Sequence, residues 1–358
     1  MKLNRVHLSA LLILGAPISM AQAADVTMPP AQGPGAQSAR DAREPQVLAA
    51  CKHPAPSRQG PGQAAGFKPL TGEAQEYSVS AIPGVVASGV RWKSLWSVQG
   101  NNADGIVATD QGTLLIAQNN NSDVVELDGN GTTHVLFRDT NTGGALSLSK
   151  KGGLFIVERG LYSSVWQLRP QRKLLADRYQ GDPLDCLGSV INDLSADSRG
   201  GVYFTDGGLF YLDAHGVITQ YGENLATNGI ILSADEKTLY VTNRDSLVAF
   251  DVRPDGALTG QREIARLPGS GDGSTIDGQG RVYVTARGKD GIDGVAVISA
   301  TGESLGIIPT PYPVISVAFG GPDKKTLYAV AETGKSPAQA AAILSLPMIT
   351  AGYTGRAK

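Results

Sequence analysis

The sequence has few of the residues that mark soft-metal sites and disulfide scaffolds, with four histidines and two cysteines among 358 residues. The histidines show no HExxH spacing or other zinc-hydrolase pattern. A GxSxG motif with a nearby histidine is also absent, and no GxGxxG or P-loop motif opens a helix. The sequence therefore does not support a serine hydrolase, a dinucleotide-binding protein or a P-loop enzyme.

Neither sign of charge dominates the chain, because 31 Lys and Arg residues face 33 Asp and Glu residues. We therefore expect no nucleic-acid partner. Long Ala, Leu, Glu and Lys runs with a helical period are missing, whereas glycine is abundant at 45 residues. This composition favours many short strands and turns over helices.

Long hydrophobic runs are confined to the N terminus. Lys2 and Arg5 precede an apolar run from Leu8 to Met20, and Ala21-Gln22-Ala23 has the form of a cleavage site. This pattern predicts a signal peptide over residues 1–23, cleaved near Ala23, and export to the periplasm or secretion. No later segment reaches the roughly 18 apolar residues of a membrane span.

The remaining chain divides by composition. Residues 24–76 are rich in Pro, Gly, Ala and Gln, and we expect a mostly unstructured arm there. The main domain is expected over residues 77–350, followed by a C-terminal tail at 351–358. Cys51 lies in the arm and Cys186 in the main domain, so they are either a disulfide that tethers the arm or two unrelated thiols.

Six segments of the main domain share one plan, an apolar strand followed by a polar turn and a second strand of Leu, Val, Tyr or Phe type. Anchor residues of the second strands are spaced by 40, 48, 37, 43 and 45 residues, at Leu114, Leu154, Val202, Leu239, Val282 and Leu327. A repeat of this length with three or four strands is typical of a propeller blade. The sequence therefore predicts an all-β, six-bladed β-propeller with four-stranded antiparallel blades around a central channel.

Polar residues begin the first strands of four of the six repeats. First strands line the channel of a propeller, so these residues are expected at one mouth: Asp104, Asn192, Asn228 and Asp272. Tight turns are the alternative, because Asn-Gly and Asp-Gly favour them. Two carboxylates and two amide oxygens are suitable ligands for one divalent metal ion, with Ca²⁺ favoured and Zn²⁺ or Mn²⁺ left open.

A second polar set follows the second strands, which end on the same face. Its members are candidates for lining a substrate: Glu158, Arg159, Asn243 and Arg287. The alternative for each is a solvated loop residue.

Three stretches of the chain carry a family resemblance, "LLADRYQGDPLDCLGSVINDLSADSRGGVYFTD", "TNGIILSADEKTLYVTN" and "DGSTIDGQGRVYVT". They make the region from about Val85 to Glu332 similar to the gluconolactonase/senescence-marker-protein family of six-bladed propellers. The resemblance implies lactone hydrolysis with one divalent metal, held by the residues that match the family's ligands: Asp104, Asn192, Asn228 and Asp272. It also implies that Asp272 acts as the general base.

This chain departs from the family pattern at three places. Asp104 replaces a longer Glu, "VERGLYSSV" lacks the His and paired arginines of close relatives, and the loop after "FTD" is short. These differences affect metal binding and the choice of substrate.

The sequence thus favours a metal-dependent lactonase acting on a sugar or aldonic lactone. A non-catalytic ligand-binding propeller with a structural metal is one alternative, and an aryl or other ester hydrolase is another. The expected partner is a small-molecule lactone or ester, and the protein is expected to be a monomer.

Overall fold

A computed structural model describes residues 41–55, 79–288, 293–334 and 340–355. The predicted signal peptide and most of the predicted arm lie outside these residues. Within the described part of the chain, no helix is long and apolar enough to cross a membrane.

Six four-stranded antiparallel sheets make up the fold, and they confirm the predicted propeller. Strand labels follow chain order. Blade 1 contains β2 (Ala103–Ala108), β3 (Leu114–Gln118), β4 (Asp123–Leu127) and β5 (Thr133–Phe137). Blade 2 contains β6 (Gly143–Leu148), β7 (Leu154–Glu158), β8 (Ser164–Arg169) and β9 (Lys173–Ala176). Blade 3 contains β12 (Leu194–Ala196), β13 (Val202–Asp206), β14 (Gly208–Leu212) and β15 (Ile218–Tyr221).

The second half of the ring repeats this arrangement. Blade 4 contains β16 (Thr227–Leu232), β17 (Thr238–Asn243), β18 (Ser246–Val252) and β19 (Leu258–Arg266). Blade 5 contains β20 (Gly269–Ile276), β21 (Val282–Gly288), β22 (Asp293–Ile298) and β23 (Ser304–Pro309). Blade 6 contains β24 (Val314–Gly320), β25 (Thr326–Gly334), β26 (Ala340–Pro347) and β1 (Lys93–Gln99).

Blade 6 closes the ring, because its outermost strand comes from the start of the domain. β1 pairs antiparallel with β26, in a register that runs from Lys93 opposite Ser345 to Gln99 opposite Ala340. One sheet therefore contains both the first and the last strand of the propeller. This pairing ties the two ends of the domain together.

Each blade is apolar on both faces, since neighbouring blades pack against both. Six hydrophobic clusters fill the six interfaces between blades. On β13, for example, Tyr203 packs towards blade 4 and the next residue, Phe204, packs towards blade 2. This alternation follows from the two-residue period of a strand.

The first strands of the blades form the inner ring. β2, β6, β12, β16, β20 and β24 each contact the first strand of the next blade, and β24 contacts β2. Because first and second strands are antiparallel, the starts of the inner strands and the ends of the second strands lie on the same face. This face is called the channel mouth below.

A short part of the arm is fixed to the propeller beside blades 2 and 3. There β10 (Arg178–Tyr179), β11 (Asp182–Pro183) and a 3-10 helix (Leu184–Leu187) connect the two blades. Helix α1 (Glu44–Ala49) contacts this 3-10 helix, and a disulfide joins Cys51 to Cys186. The backbone N–H groups of the next two arm residues donate to the Asp182 carboxylate at 2.7–3.0 Å.

Candidate functional site at the channel mouth

The inner strands of four blades begin with the same irregularity. In blades 1, 4 and 5, the pairing with the second strand skips Asp104-Gly105, Asn228-Gly229 and Asp272-Gly273. Blade 2 has the same interruption at Gly144 and Ala145. Such bulges bend a strand and re-aim its side chains. Three of the four predicted ligands therefore occupy equivalent positions at the mouth.

The glycines of these pairs serve close approach between strands. A Cβ on Gly105 would lie 2.5 Å from the Leu146 nitrogen, and one on Gly273 would lie 2.7 Å from the Ile315 oxygen. A Cβ on Gly229 would overlap the Asp272 carbonyl oxygen. None of the three has a positive φ. The pairs lie inside strands, so the tight-turn alternative is wrong for them.

Buried threonines at the ends of the second strands fix this backbone. Thr242 Oγ1 accepts the Gly229 N–H at 2.6 Å, and Thr205 Oγ1 donates to the Asn228 carbonyl oxygen at 2.6 Å. Thr285 Oγ1 donates to the Gly273 carbonyl oxygen at 3.2 Å. These threonines were not among the predicted site residues, although Thr recurs in "YFTD", "YVTN" and "YVTA".

Blade 3 differs from these four blades at this position. Asn192 precedes β12 and donates its N–H to the Thr205 carbonyl oxygen at 2.8 Å. Asp193 stands next to it, where the other ligand candidates are followed by glycine, and its carboxylate accepts the N–H groups of Leu194 at 2.8 Å and Ile230 at 2.9 Å. Asp193 thus joins blades 3 and 4 through the backbone, a role that the sequence analysis did not identify.

The structure links Asp104 and Asn192 through a third side chain. The Arg159 guanidinium donates to Asp104 Oδ2 and, at 3.0 Å, to Asn192 Oδ1. It also donates to the main-chain oxygens of Ile191 at 3.0 Å and Asn192 at 2.6 Å. Arg159, a predicted lining residue, is therefore in direct contact with two predicted ligands.

The other two predicted ligands are not engaged in this way. Asn228 Oδ1 is buried and has no hydrogen-bond partner among the described residues. Burial, together with the negative charge of Asp104, raises the pKa of Asp272 to about 7, although Arg287 and Arg159 act in the opposite direction. A carboxyl group in this range exchanges protons readily near neutral pH.

Glu158, the last residue of β7, is paired with Arg172. Its side chain is buried and accepts a hydrogen bond from Arg172 at 3.1 Å. The same guanidinium donates to the carbonyl oxygens of Arg138 and Asp139, in the connection from blade 1 to blade 2. Burial raises the pKa of Glu158 to about 7 despite the positive charge of Arg172.

The remaining two lining candidates have separate partners. Asn243 Oδ1 accepts the Ala226 N–H at 2.7 Å and so holds the segment that enters β16. Arg287 forms an ion pair with Glu332 at 2.6 Å, which joins blade 5 to blade 6. Arg287 also lowers the pKa of Asp272 and therefore lies within its electrostatic reach.

The predicted metal site contains two carboxylates and two amides. No group of three or more His, Cys, Asp or Glu side chains among the described residues is arranged to hold a metal. The unpartnered Asn228 oxygen and the Asp272 carboxyl fit a hard divalent cation, which prefers oxygen ligands. Asp104 and Asn192 have the same donor chemistry, and Arg159 contacts both.

The six-bladed propeller with a polar channel mouth defines the structural class, and comparisons with known proteins give the family. The SMP-30/Gluconolactonase/LRE-like family model matches residues 102–333, and the chain belongs to this family. This range includes all four predicted metal ligands.

Individual relatives agree with this assignment. Lactonase drp35 of Staphylococcus saprophyticus is 29% identical over 241 residues, covering 60% of this chain and 72% of the relative. Pentonolactonase XacC of Haloferax volcanii is 33% identical over 159 residues, covering 40% of this chain and 54% of the relative. A gluconolactonase structure from Xanthomonas campestris has the same fold, with a TM-score of 0.63, 23% identity and coverage of 78% and 96%. The matches place the chain among lactonase-type hydrolases.

Proposed function

We propose that the protein is a metal-dependent hydrolase that opens a lactone ring at the channel mouth. The observation that carries this proposal is the placement of Asp104, Asn228 and Asp272 at equivalent bulges of three inner strands. The side-chain oxygen of Asn228 is buried and has no hydrogen-bond partner among the described residues, so it is free to bind a metal ion. Membership of a family with lactonase relatives supplies the reaction class.

Asp272 is the residue that would accept a proton from the attacking water. Asp104, Asn192 and Asn228 would hold the divalent ion together with Asp272, and their oxygen chemistry favours Ca²⁺ over Zn²⁺ or Mn²⁺. When bound, such an ion polarises the lactone carbonyl and stabilises the developing negative charge.

In the proposed reaction, the water oxygen bonds to the carbonyl carbon and the ring carbon–oxygen bond breaks. One water proton passes to Asp272, which later releases it to solvent, and the departing ring oxygen takes up a proton from solvent to become a hydroxyl group. The product is a hydroxy acid.

We infer that the substrate is a sugar or aldonic lactone. Pentonolactonase among the relatives is consistent with this class. We also propose that the protein acts after export, in the periplasm or outside the cell. The Cys51–Cys186 disulfide supports that location, because such bonds persist in oxidising compartments.

The experiment is acid release by the wild-type protein from a panel of aldonic lactones, aliphatic lactones and aryl esters. It is run after chelation and again with added Ca²⁺, Zn²⁺ or Mn²⁺. We expect turnover of aldonic lactones that is lost with chelator and restored by one ion. Preference for aryl esters would assign a different substrate class. Turnover unaffected by chelator would show that the reaction does not require a metal.

A non-catalytic ligand-binding propeller with a structural metal is the second candidate. The contacts of Arg159 with Asp104 and Asn192 favour it over catalysis, because two of the four predicted ligands already have a cationic partner and would hold a catalytic metal less fully. Under this alternative, the same panel gives no acid release with any ion.

A further inference from the structure

Blade 2 contributes none of the predicted metal ligands. A glycine occupies the equivalent bulge position of its inner strand. Gly144 stands where blades 1, 4 and 5 have Asp104, Asn228 and Asp272. A Cβ on Gly144 would overlap Arg159, lying 2.5 Å from Cζ and 2.9 Å from Cδ. The missing side chain therefore makes room for the guanidinium.

The guanidinium is held there by its surroundings. Only 11% of the Arg159 side chain and 16% of the Asp104 side chain are exposed, so solvent screens this ion pair weakly. Main-chain oxygens of Ile191 and Asn192 accept two further hydrogen bonds, at 3.0 and 2.6 Å. These two acceptors come from the segment that leads into blade 3.

The other two acceptors of the Arg159 guanidinium are side-chain oxygens of predicted metal ligands. Arg159 donates to Asp104 Oδ2 and to Asn192 Oδ1. An oxygen that accepts a charged hydrogen bond has less electron density to donate to a metal. A divalent ion at the mouth and the guanidinium would also repel each other.

We propose that Arg159 is an internal cation that competes with the divalent metal for Asp104 and Asn192, and that Gly144 provides its place. A metal held by all four side chains would have to share Asp104 and Asn192 with the guanidinium or displace it. Metal affinity is therefore set low by the chain itself. This inference rests on the metal site of the proposed function and adds how that site is regulated.

The test is isothermal titration calorimetry of the mature protein with CaCl₂, ZnCl₂ and MnCl₂, after bound metal has been removed with a chelator. Arg159→Gln removes the competing charge, and we expect at least one ion to bind about tenfold or more tightly than to wild type, the size of a lost charged hydrogen bond. Gly144→Ala keeps the charge but displaces the guanidinium, and we expect tighter binding here too. The melting temperature of each variant with and without the ion gives an independent readout.

Three matched variants control for general effects. Arg287→Gln removes a positive charge near Asp272 without freeing Asp104 or Asn192, so it should tighten binding less than Arg159→Gln. Arg262→Gln removes an exposed arginine of blade 4, and Gly129→Ala adds a Cβ in open space. Neither should change metal affinity.

Unchanged or weaker metal binding by Arg159→Gln would overturn the inference, as would weaker binding by Gly144→Ala. If wild type opens lactones but the variants give either of these results, the proposed hydrolysis is supported and the competition between Arg159 and the metal is excluded. Tighter metal binding by both variants, in a protein that opens no lactone, would support the competition and contradict the proposed function.

Discussion

Replacing Glu158 with Gln should stabilise the protein at alkaline pH without affecting lactone turnover. The side chain is 5% exposed, and burial raises its pKa from 4.5 to about 7 even with Arg172 beside it. The folded state therefore holds the Glu158 proton more tightly than the unfolded state does. As pH rises from about 4.5 to 7, the free energy of unfolding falls, and above 7 the loss is complete.

The magnitude follows from the two pKa values. At about 1.4 kcal/mol per pH unit, the interval from 4.5 to about 7 corresponds to roughly 3 kcal/mol. Gln keeps an oxygen that can accept the Arg172 hydrogen bond and carries no charge to desolvate. Glu158→Gln should thus gain about 3 kcal/mol over wild type at pH 8 and less than about 1 kcal/mol at pH 5.

The assay is urea unfolding of both proteins at pH 5 and pH 8. Glu263→Gln is the control, because that carboxylate is 43% exposed, and its substitution should change stability by less than about 0.5 kcal/mol. A loss of stability in Glu158→Gln at pH 8 would contradict this prediction. It would mean that the ion pair with Arg172 stabilises the fold by more than burial of the charge costs.

Two further predictions concern the backbone around the site. Gly229→Ala should lower the free energy of unfolding by about 1–3 kcal/mol or more, because its Cβ would meet the backbone of the neighbouring inner strand. Urea unfolding beside Gly129→Ala checks this, and equal stability would contradict the close approach. Cys51→Ser with Cys186→Ser should cost about 2–5 kcal/mol, since the bond joins residues separated by 135 positions. Identical unfolding of that variant and the oxidised protein would show that the tether does not stabilise the fold.

The propeller could be predicted from the sequence because its signal is repeated. Six turn-and-strand units at a nearly constant spacing define the blades, and the order of strands within a blade follows from antiparallel pairing. Closure of blade 6 by β1 was not predictable in this way. The segment "KSLWSVQ" precedes the first repeat and has no matching neighbour along the chain.

The candidate site was predictable in position but not in its contacts. Asp104, Asn228 and Asp272 share a repeat position, which a sequence displays directly. Whether Asn-Gly is a turn or a bulge depends on how closely the next blade approaches, and that distance is not local. The sequence also left Arg159 open as a lining residue, because its direction depends on the space that Gly144 provides.

Glu158 illustrates the same limit. It is adjacent to Arg159 in the sequence, yet the two side chains have different partners. Sequence position placed both at the end of a second strand. The identity of each partner, Arg172 for one and Asp104 for the other, required the packing of neighbouring blades.

The most direct test of the central claim is the kcat/KM for an aldonic lactone of wild type, Asp272→Asn and the control Arg262→Gln, each loaded with the activating ion. We expect a loss of about 10²–10⁴-fold in Asp272→Asn, the usual contribution of a general base, and no change in the control. Full turnover by Asp272→Asn with the metal still bound would show that Asp272 is not the general base.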